Sequence, residues 1–470
     1  MNTIMEISND ALALLSVKKA FELNVIPVKI LNGALHLGIS NKYDQKVIND
    51  LSFYTGLKIV PVEMPSDVIL NKLKEVYDTS EMNITNGEDQ KQDNAITDYS
   101  NVDFVNQVIS NAIKTGASDI HFEGYETIYR VRYRIDGHLR EILNLPKTRS
   151  LAIASRLKIM ANLDISEKRR PQDGRIRFNY NSKTIDLRVS ILPTNFGEKI
   201  VLRILDKSQV ELDLTKLGLN SSQLEILSRN IKNPYGMILV TGPTGSGKTT
   251  SLYSILKTIH SVEKNILTIE DPIEYNLDGI NQSSVRPEIG YDFANALRSF
   301  LRQDPDIIMV GEIRDKETAE IAIRASLTGH LVFSTLHTND SISAITRLID
   351  MGIEPFLVSS SVRIIVAQRL VRILCSCKVK STKKVMGLEH HYDKKGCEKC
   401  SYTGYKGRRA IFELFEINND LADMISKNSP YKEIKNKAIE NGFLSLRDSG
   451  IEKILSGATT IEEVWRETML

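Results

Sequence analysis

The sequence predicts an α/β fold built on a parallel sheet around a phosphate-binding loop. Three observations predict it. Residues from about 207 to 374 alternate apolar strands with amphipathic helices, the pattern of a parallel sheet covered by helices. A G-x-x-x-x-G-K-[ST] match lies between one of those strands and the helix after it. The strands that follow end on acidic residues or near a histidine, at the edge where open parallel sheets place ligand chemistry.

The chain has 470 residues, a length that predicts two to four domains, each able to bury a core. Hydrophobic residues make up 41% and charged residues 26%, so the chain belongs with globular proteins. The formal net charge of +2 provides no strong attraction for nucleic acid or an anionic membrane. The first residues lack the basic, apolar and small-residue order of a signal peptide. No apolar run approaches the roughly 20 residues that span a bilayer, so any membrane role is expected to run through partners. All four cysteines fall between Cys375 and Cys400, a cluster that reads as a metal site before disulfides.

Residues 1–77 read as a small α/β domain. Asn9 and Asp10 offer caps for a helix carrying Leu12, Leu15 and Leu23. Strands at 25–30 and 34–39 meet at Asn32-Gly33, a hairpin signal. A helix at 66–77 carries Val68, Leu70, Leu73 and Val76. Residues 78–100 hold Glu81, Glu88, Asp89, Asp93 and Asp98 among polar neighbours and read as a flexible linker. Residues 101–206 form a second α/β segment. In it, Ile185, Leu187, Val189 and Ile191 share one strand face, and Asp186, Arg188 and Ser190 the other. Residues 207–374 are the parallel-sheet domain. Residues 375–470 hold the cysteines and a polar, helical tail.

The phosphate loop comprises Gly242, Pro243, Thr244, Gly245, Ser246, Gly247, Lys248 and Thr249, with Thr250 next to them. An apolar strand at 237–240 precedes it. A helix at 249–259 follows, with Leu252, Ile255, Leu256 and Ile259 at helical spacing. Small residues let backbone N–H groups converge on phosphate oxygens at a helix N-terminus. Lys248 is expected to reach the β- and γ-phosphates of ATP, and the Thr249 hydroxyl to ligate Mg2+. Three further strands bring Glu270, Asp271 and Glu274, then Glu312, then His337 to the same sheet edge. Hydrolysis needs an acid that orients or deprotonates the attacking water. Glu312 is the first choice and Glu270 the second. The strand Ile307–Val310 has no aspartate at its end and Asp306 stands at its start, so magnesium contact there is expected through waters.

The run from Leu301 and Arg302 through Asp306, Gly311, Glu312, Arg314 and Asp315 resembles the signature of the secretion ATPase family, which powers type II secretion and type IV pili. Thr268 to Glu274 resembles its aspartate box. Thr328 to His330, with His337, Thr338 and Asn339, resembles its histidine box. Ala117 to His121 and Arg134 to Gly137 resemble its second amino-terminal domain. The resemblance covers nearly everything from 101 to 415. It implies a RecA-like motor domain, preceded by a PAS-like domain and the small amino-terminal domain, and followed by a zinc-containing helical segment. It also implies that Arg188 and Arg203, from the domain before the motor, reach the nucleotide's phosphates on closure. A homohexamer is implied, docked through an inner-membrane platform protein at the cytoplasmic face. The extra amino-terminal domain and the four cysteines point to assembly or secretion rather than retraction. The first domain lacks the paired leucine-rich motifs with which some members bind cyclic di-GMP, so that ligand is not expected.

Cys375 and Cys377 are separated by 19 residues from Cys397 and Cys400, a spacing that fits a structural four-cysteine zinc site. The first pair is one residue closer than the usual C-x-x-C, and His390 or His391 could substitute. Two other functions compete: a DNA-translocating or DNA-uptake motor, which needs a basic channel, and a nucleotide-gated scaffold without turnover, against which Glu270 and Glu312 argue.

Overall fold

The computed structural model describes residues 93–205, 212–381 and 391–469 together with most of 7–76 (93–100 by backbone alone). The chain divides into two compact units. One comprises residues 1–106, 125–131 and 141–156; the other comprises 107–124, 132–140 and 157–470.

In the first unit, strands β1 (Val25–Leu31), β2 (Ala34–Ile39) and β3 (Lys58–Glu63) form a sheet in the order β1-β2-β3. β1 and β2 are antiparallel and joined at Asn32 and Gly33, both at positive φ, as the Asn-Gly turn predicts. Val25, Ile26, Leu35 and Leu37 are fully buried against Ile69 and Leu73 of the helix Ser66–Val76. The helix therefore buries an i, i+4 pair. Val68 and Leu70, read from sequence as part of the apolar face, flank that pair and are exposed. Near the start, the helix Asn9–Leu12 is capped by the Ser8 hydroxyl, which accepts from the Ala11 N–H at 3.3 Å; the Asn9 side chain lies outside the described residues. Leu23 lies in a turn beyond it. The helix Asp93–Lys114 begins inside the stretch read as a linker, so 93–100 are helical, and 78–92 lie outside the described residues. Its buried Val105, in the first unit, and Val108, Ile109 and Ala112, in the second, anchor the helix, which propagates back into the polar residues.

In the second unit, β4 (Ala117–Gly124) leads an antiparallel run; β5 (Ile128–Ile135) and β6 (His138–Pro146) each include residues of both units. β7 (Gln172–Tyr180), β8 (Lys183–Thr194) and β9 (Gly197–Leu205) complete the run in the order β4-β9-β8-β7. Ile185, Leu187, Val189 and Ile191 are buried, which leaves Arg188 on the opposite face as the alternation requires.

The larger sheet contains β10 (Gly236–Thr241), β11 (Ile266–Glu270), β12 (Asn281–Ser284), β13 (Ile307–Val310), β14 (Leu331–Leu336) and β15 (Val362–Leu374). Its order is β12-β11-β13-β14-β10-β15, all parallel. Helices cover both faces, so β10 is apolar without alternation: Met237 and Leu239 join one core, Ile238 and Val240 the other. After the short pair β16 (Val379–Lys380) and β17 (Tyr392–Asp393), strand β18 (Tyr405–Glu416) returns antiparallel beside β15. The sheet thus continues past residue 374, and the carboxy-terminal segment is a sheet edge as well as a helical tail. Leu446, Ile454 and Val464 from its last two helices pack on Ala367, Val371 and Ile411. Among the described residues, no helix is long and apolar enough to cross a membrane.

Candidate active site and metal centre

β10 ends at Thr241, and the chain turns through Gly242 into the helix Lys248–Ile259, whose N-cap Gly247 is left-handed at φ 88°. Gly242 has no room for a side chain: a Cβ there would lie 2.5 Å from the Gln368 carbonyl oxygen. Pro243, Thr244, Gly245 and Thr249 are exposed and Ser246 is buried, so the loop offers its outer rim and the first helical turn. Lys248 arches back over the loop; its Nζ donates to the Gly242 carbonyl at 2.8 Å and the Pro243 carbonyl at 3.1 Å. Burial pulls its pKa down to about 8, while the charge of Glu312 opposes that fall and Arg369 adds to it. Thr249 and Thr250 follow on the first turn, Thr249 outward where a hydroxyl can meet a cation.

The neighbouring strands end beside this loop. The Thr338 amide donates to the Thr241 hydroxyl at 3.0 Å, which ties the end of β10 to the segment after β14. The Thr335 hydroxyl donates to the Gly311 carbonyl at 2.7 Å, which ties β14 to the turn after β13. Glu312 projects from that turn between two partners: Arg314 donates to one oxygen, and His337 Nε2 lies 3.3 Å from the other. Burial opposes its ionisation, but the hydrogen bond and charge of Arg314, with His337, outweigh it and hold the carboxyl below its ordinary pKa. Arg314 also lies 3.6 Å from Asp271.

Glu270 differs. It is buried at the end of β11, where its oxygens accept from the Tyr253 hydroxyl, the Thr268 hydroxyl at 2.7 Å and the Gln282 amide at 3.0 Å. Asp306 sits at the far end of β13 and accepts from the Asn265 amide at 2.7 Å.

Arg188 and Arg203 are cross-strand partners, with Arg175 opposite Arg188, so three cations form one row across the sheet face. They line a cavity of about 480 Å³ with Pro272 of the acidic loop. Arg188 donates to the Ile273 carbonyl at 3.0 Å and lies 3.4 Å from Glu274; Arg203 donates to Asp119 at 3.0 Å. Arg188 thus meets the loop after β11, whereas Arg203 is held on its own sheet.

The four cysteines converge, with all four Sγ atoms within 4.8 Å of one another. Cys375 to Cys397 is 3.8 Å, Cys377 to Cys400 3.9 Å and Cys397 to Cys400 3.8 Å. A tetrahedral site with bonds of about 2.3 Å places its sulfurs about 3.8 Å apart, so the set fits a zinc ion. Amides of Cys397 at 3.1 Å and Gly404 at 3.2 Å donate to Cys400 Sγ, as donors around a thiolate do. The close C-x-C pair is accommodated because Cys375 directly follows β15 while Cys377 lies in the turn after it. His390 lies outside the described residues, and His391 is buried outside the group of four.

Sequence reasoning missed Gln368 and Arg369 on β15. The Gln368 amide donates to the Ser246 carbonyl at 2.8 Å; buried Arg369 donates to the Asn339 carbonyl at 2.9 Å. It also missed Tyr253 and Gln282, which fix Glu270. Polar residues inside otherwise apolar stretches, Gln368 and Arg369 after 364–367 above all, were the available signal.

A family model for the Type II/IV secretion system protein matches residues 94–466, and one for the MshEN domain matches residues 4–83. The type IV pilus assembly ATPase PilB of Myxococcus xanthus (strain DK1622) is 46% identical over 472 residues, covering 94% of this chain and 83% of that protein. Type II secretion system protein E of Aeromonas hydrophila is 50% identical over 375 residues, covering 77% of this chain and 75% of the relative. Among solved structures, the pilus retraction motor PilT with bound ADP aligns with a TM-score of 0.53 at 28% identity, over 77% of this chain and 96% of that one. The ATPase DotB of Legionella pneumophila aligns with a TM-score of 0.59 at 22% identity, over 77% and 94%, a likeness of fold.

Proposed function

The chain belongs to the Type II/IV secretion system protein family, and from that premise we propose that it is a hexameric ATPase that drives pilus assembly or type II protein secretion through an inner-membrane platform protein. The observation that carries the ATPase reading is the meeting of Lys248, Glu312 and His337 at the ends of strands β10, β13 and β14. In this reading the segments at 101–206 and 207–374 are PAS-like and RecA-like. Strand β14 lies between the phosphate-loop strand and the strand that leads to Glu312. The protein works at the inner face of the cytoplasmic membrane, held there by its partner.

Amides of the loop from Gly242 to Gly247 and the Lys248 ammonium bind the phosphates of ATP. Thr249, exposed on the first turn, would hold Mg2+, which neutralises phosphate charge when bound. Glu312, ionised and oriented by Arg314 and His337, takes the proton of the attacking water. Glu270, with its oxygens already engaged, positions the loop that carries Asp271 and Glu274.

Arg188 and Arg203 close onto the phosphates. Support comes from the row itself. Like charges directly opposite one another on a sheet are destabilising, so three arginines in register make sense as an anion site. Arg188→Ala should lower kcat about tenfold to a hundredfold, with nucleotide affinity unchanged, because the arginine acts on charge that grows in the transition state. Steady-state hydrolysis beside equilibrium binding of a fluorescent ATP analogue reads both. An unaltered kcat would remove Arg188 from the mechanism.

The cysteines bind one structural zinc per chain, with all four positions filled by Cys375, Cys377, Cys397 and Cys400. Elemental analysis should return one zinc per chain and far less after Cys397→Ser. Proteolysis should then cut between 375 and 404 first, because the metal folds a loop with little core of its own. Metal-free protein with four freely titrating thiols would contradict the assignment.

A further inference from the structure

The phosphate loop is gripped from below by a side chain far outside it in sequence. Gln368 lies on β15, next to β10 in the sheet, and is 2% exposed. Its amide donates to the Ser246 carbonyl at 2.8 Å, and its carbonyl oxygen accepts from the Ser251 hydroxyl at 2.7 Å. One side chain thus holds both the loop and the first turns of the helix that follows. The same residue sets the loop's two tight glycines. A Cβ at Gly247 would lie 2.8 Å from the Gln368 amide nitrogen, and one at Gly242 would lie 2.5 Å from its backbone carbonyl oxygen.

We propose that Gln368 is a positioning residue for nucleotide binding, which fixes the phosphate loop in its binding shape from strand β15. This rests on the nucleotide reading of that loop and adds a residue to it. The loop's amides bind phosphate only while they converge, and convergence depends on where its carbonyls are anchored. Gln368 supplies the anchor at Ser246, the residue before the helix N-cap. It touches neither the reacting atoms nor Glu312, so its loss falls on binding.

The test is Gln368→Met in the full chain, a change that keeps length and apolar packing but removes donor and acceptor. Loss of a buried hydrogen-bonded partner predicts an increase of about tenfold in Kd for a fluorescent ATP analogue and in KM for ATP, with kcat at saturation within about threefold of the parent. A global packing defect would instead lower the active fraction, and so kcat, without moving KM. Ser251→Ala, which removes only the anchor of the Gln368 side-chain carbonyl, should raise KM by about threefold. It serves as the measurement if the Met variant does not fold. KM and Kd within twofold of the parent in the folded variants would overturn the proposal. Lys248→Ala is measured alongside. If it abolishes binding while Gln368→Met changes nothing, only the role of Gln368 fails. If neither changes binding, the nucleotide reading of the loop fails with it.

Discussion

Glu312→Gln should bind ATP as well as the parent protein and hydrolyse it about 10²–10⁴ times more slowly, the usual contribution of a positioned acid or base. The amide keeps the shape of the carboxylate and can still accept from Arg314, but it cannot take a proton from water. Binding is preserved because the substitution removes a negative charge close to Lys248, where the phosphates of ATP would otherwise meet it. Single-turnover hydrolysis and equilibrium binding separate the two effects. Glu270→Gln should behave differently: its neighbours Tyr253, Thr268 and Gln282 lose a shared acceptor, so stability falls along with activity. If Glu270→Gln shows clean loss of turnover with binding intact and Glu312→Gln does not, the two acids have exchanged roles.

The sequence displayed the parts of the site that are local. Gly242 to Thr249 is a contiguous motif, and the acids and His337 each follow an apolar strand, so their convergence follows from the parallel sheet alone. Gln368 stood out as a polar residue in an apolar strand, but its contact with Ser246 depends on which strand lies beside β10, a matter of sheet order that periodicity does not carry. Glu270 illustrates the same limit: its position at the sheet edge was legible, whereas its engagement by Tyr253 and Gln282 depends on side-chain packing across helix and strand. The polar start of the helix Asp93–Lys114 looked like a linker because composition reports local burial, and that helix is anchored by apolar residues further along. Strand β18 was hidden within a segment read by its cysteines and helices. The four-cysteine cluster, by contrast, was legible from spacing, since two short-range pairs joined by a single 19-residue connection can meet as one set.

Lys248→Ala carries the largest expected effect, because the residue serves both binding and chemistry. Its ammonium is poised over the loop on the Gly242 and Pro243 carbonyls, which hold it where phosphate oxygens would replace them. Hydrogen bonds to charged groups contribute about 1.5–3 kcal/mol each, so loss of two predicts ATP binding at least about a hundredfold weaker. The same cation balances charge on the phosphoryl group as it transfers, so turnover falls further than binding. The most direct measurement is phosphate release by the purified 470-residue chain with ATP and Mg2+, set beside Lys248→Ala prepared identically. An ATP-driven motor predicts steady release from the parent protein and release near the buffer background from the variant. Equal release from the two, or none from the parent, would contradict it.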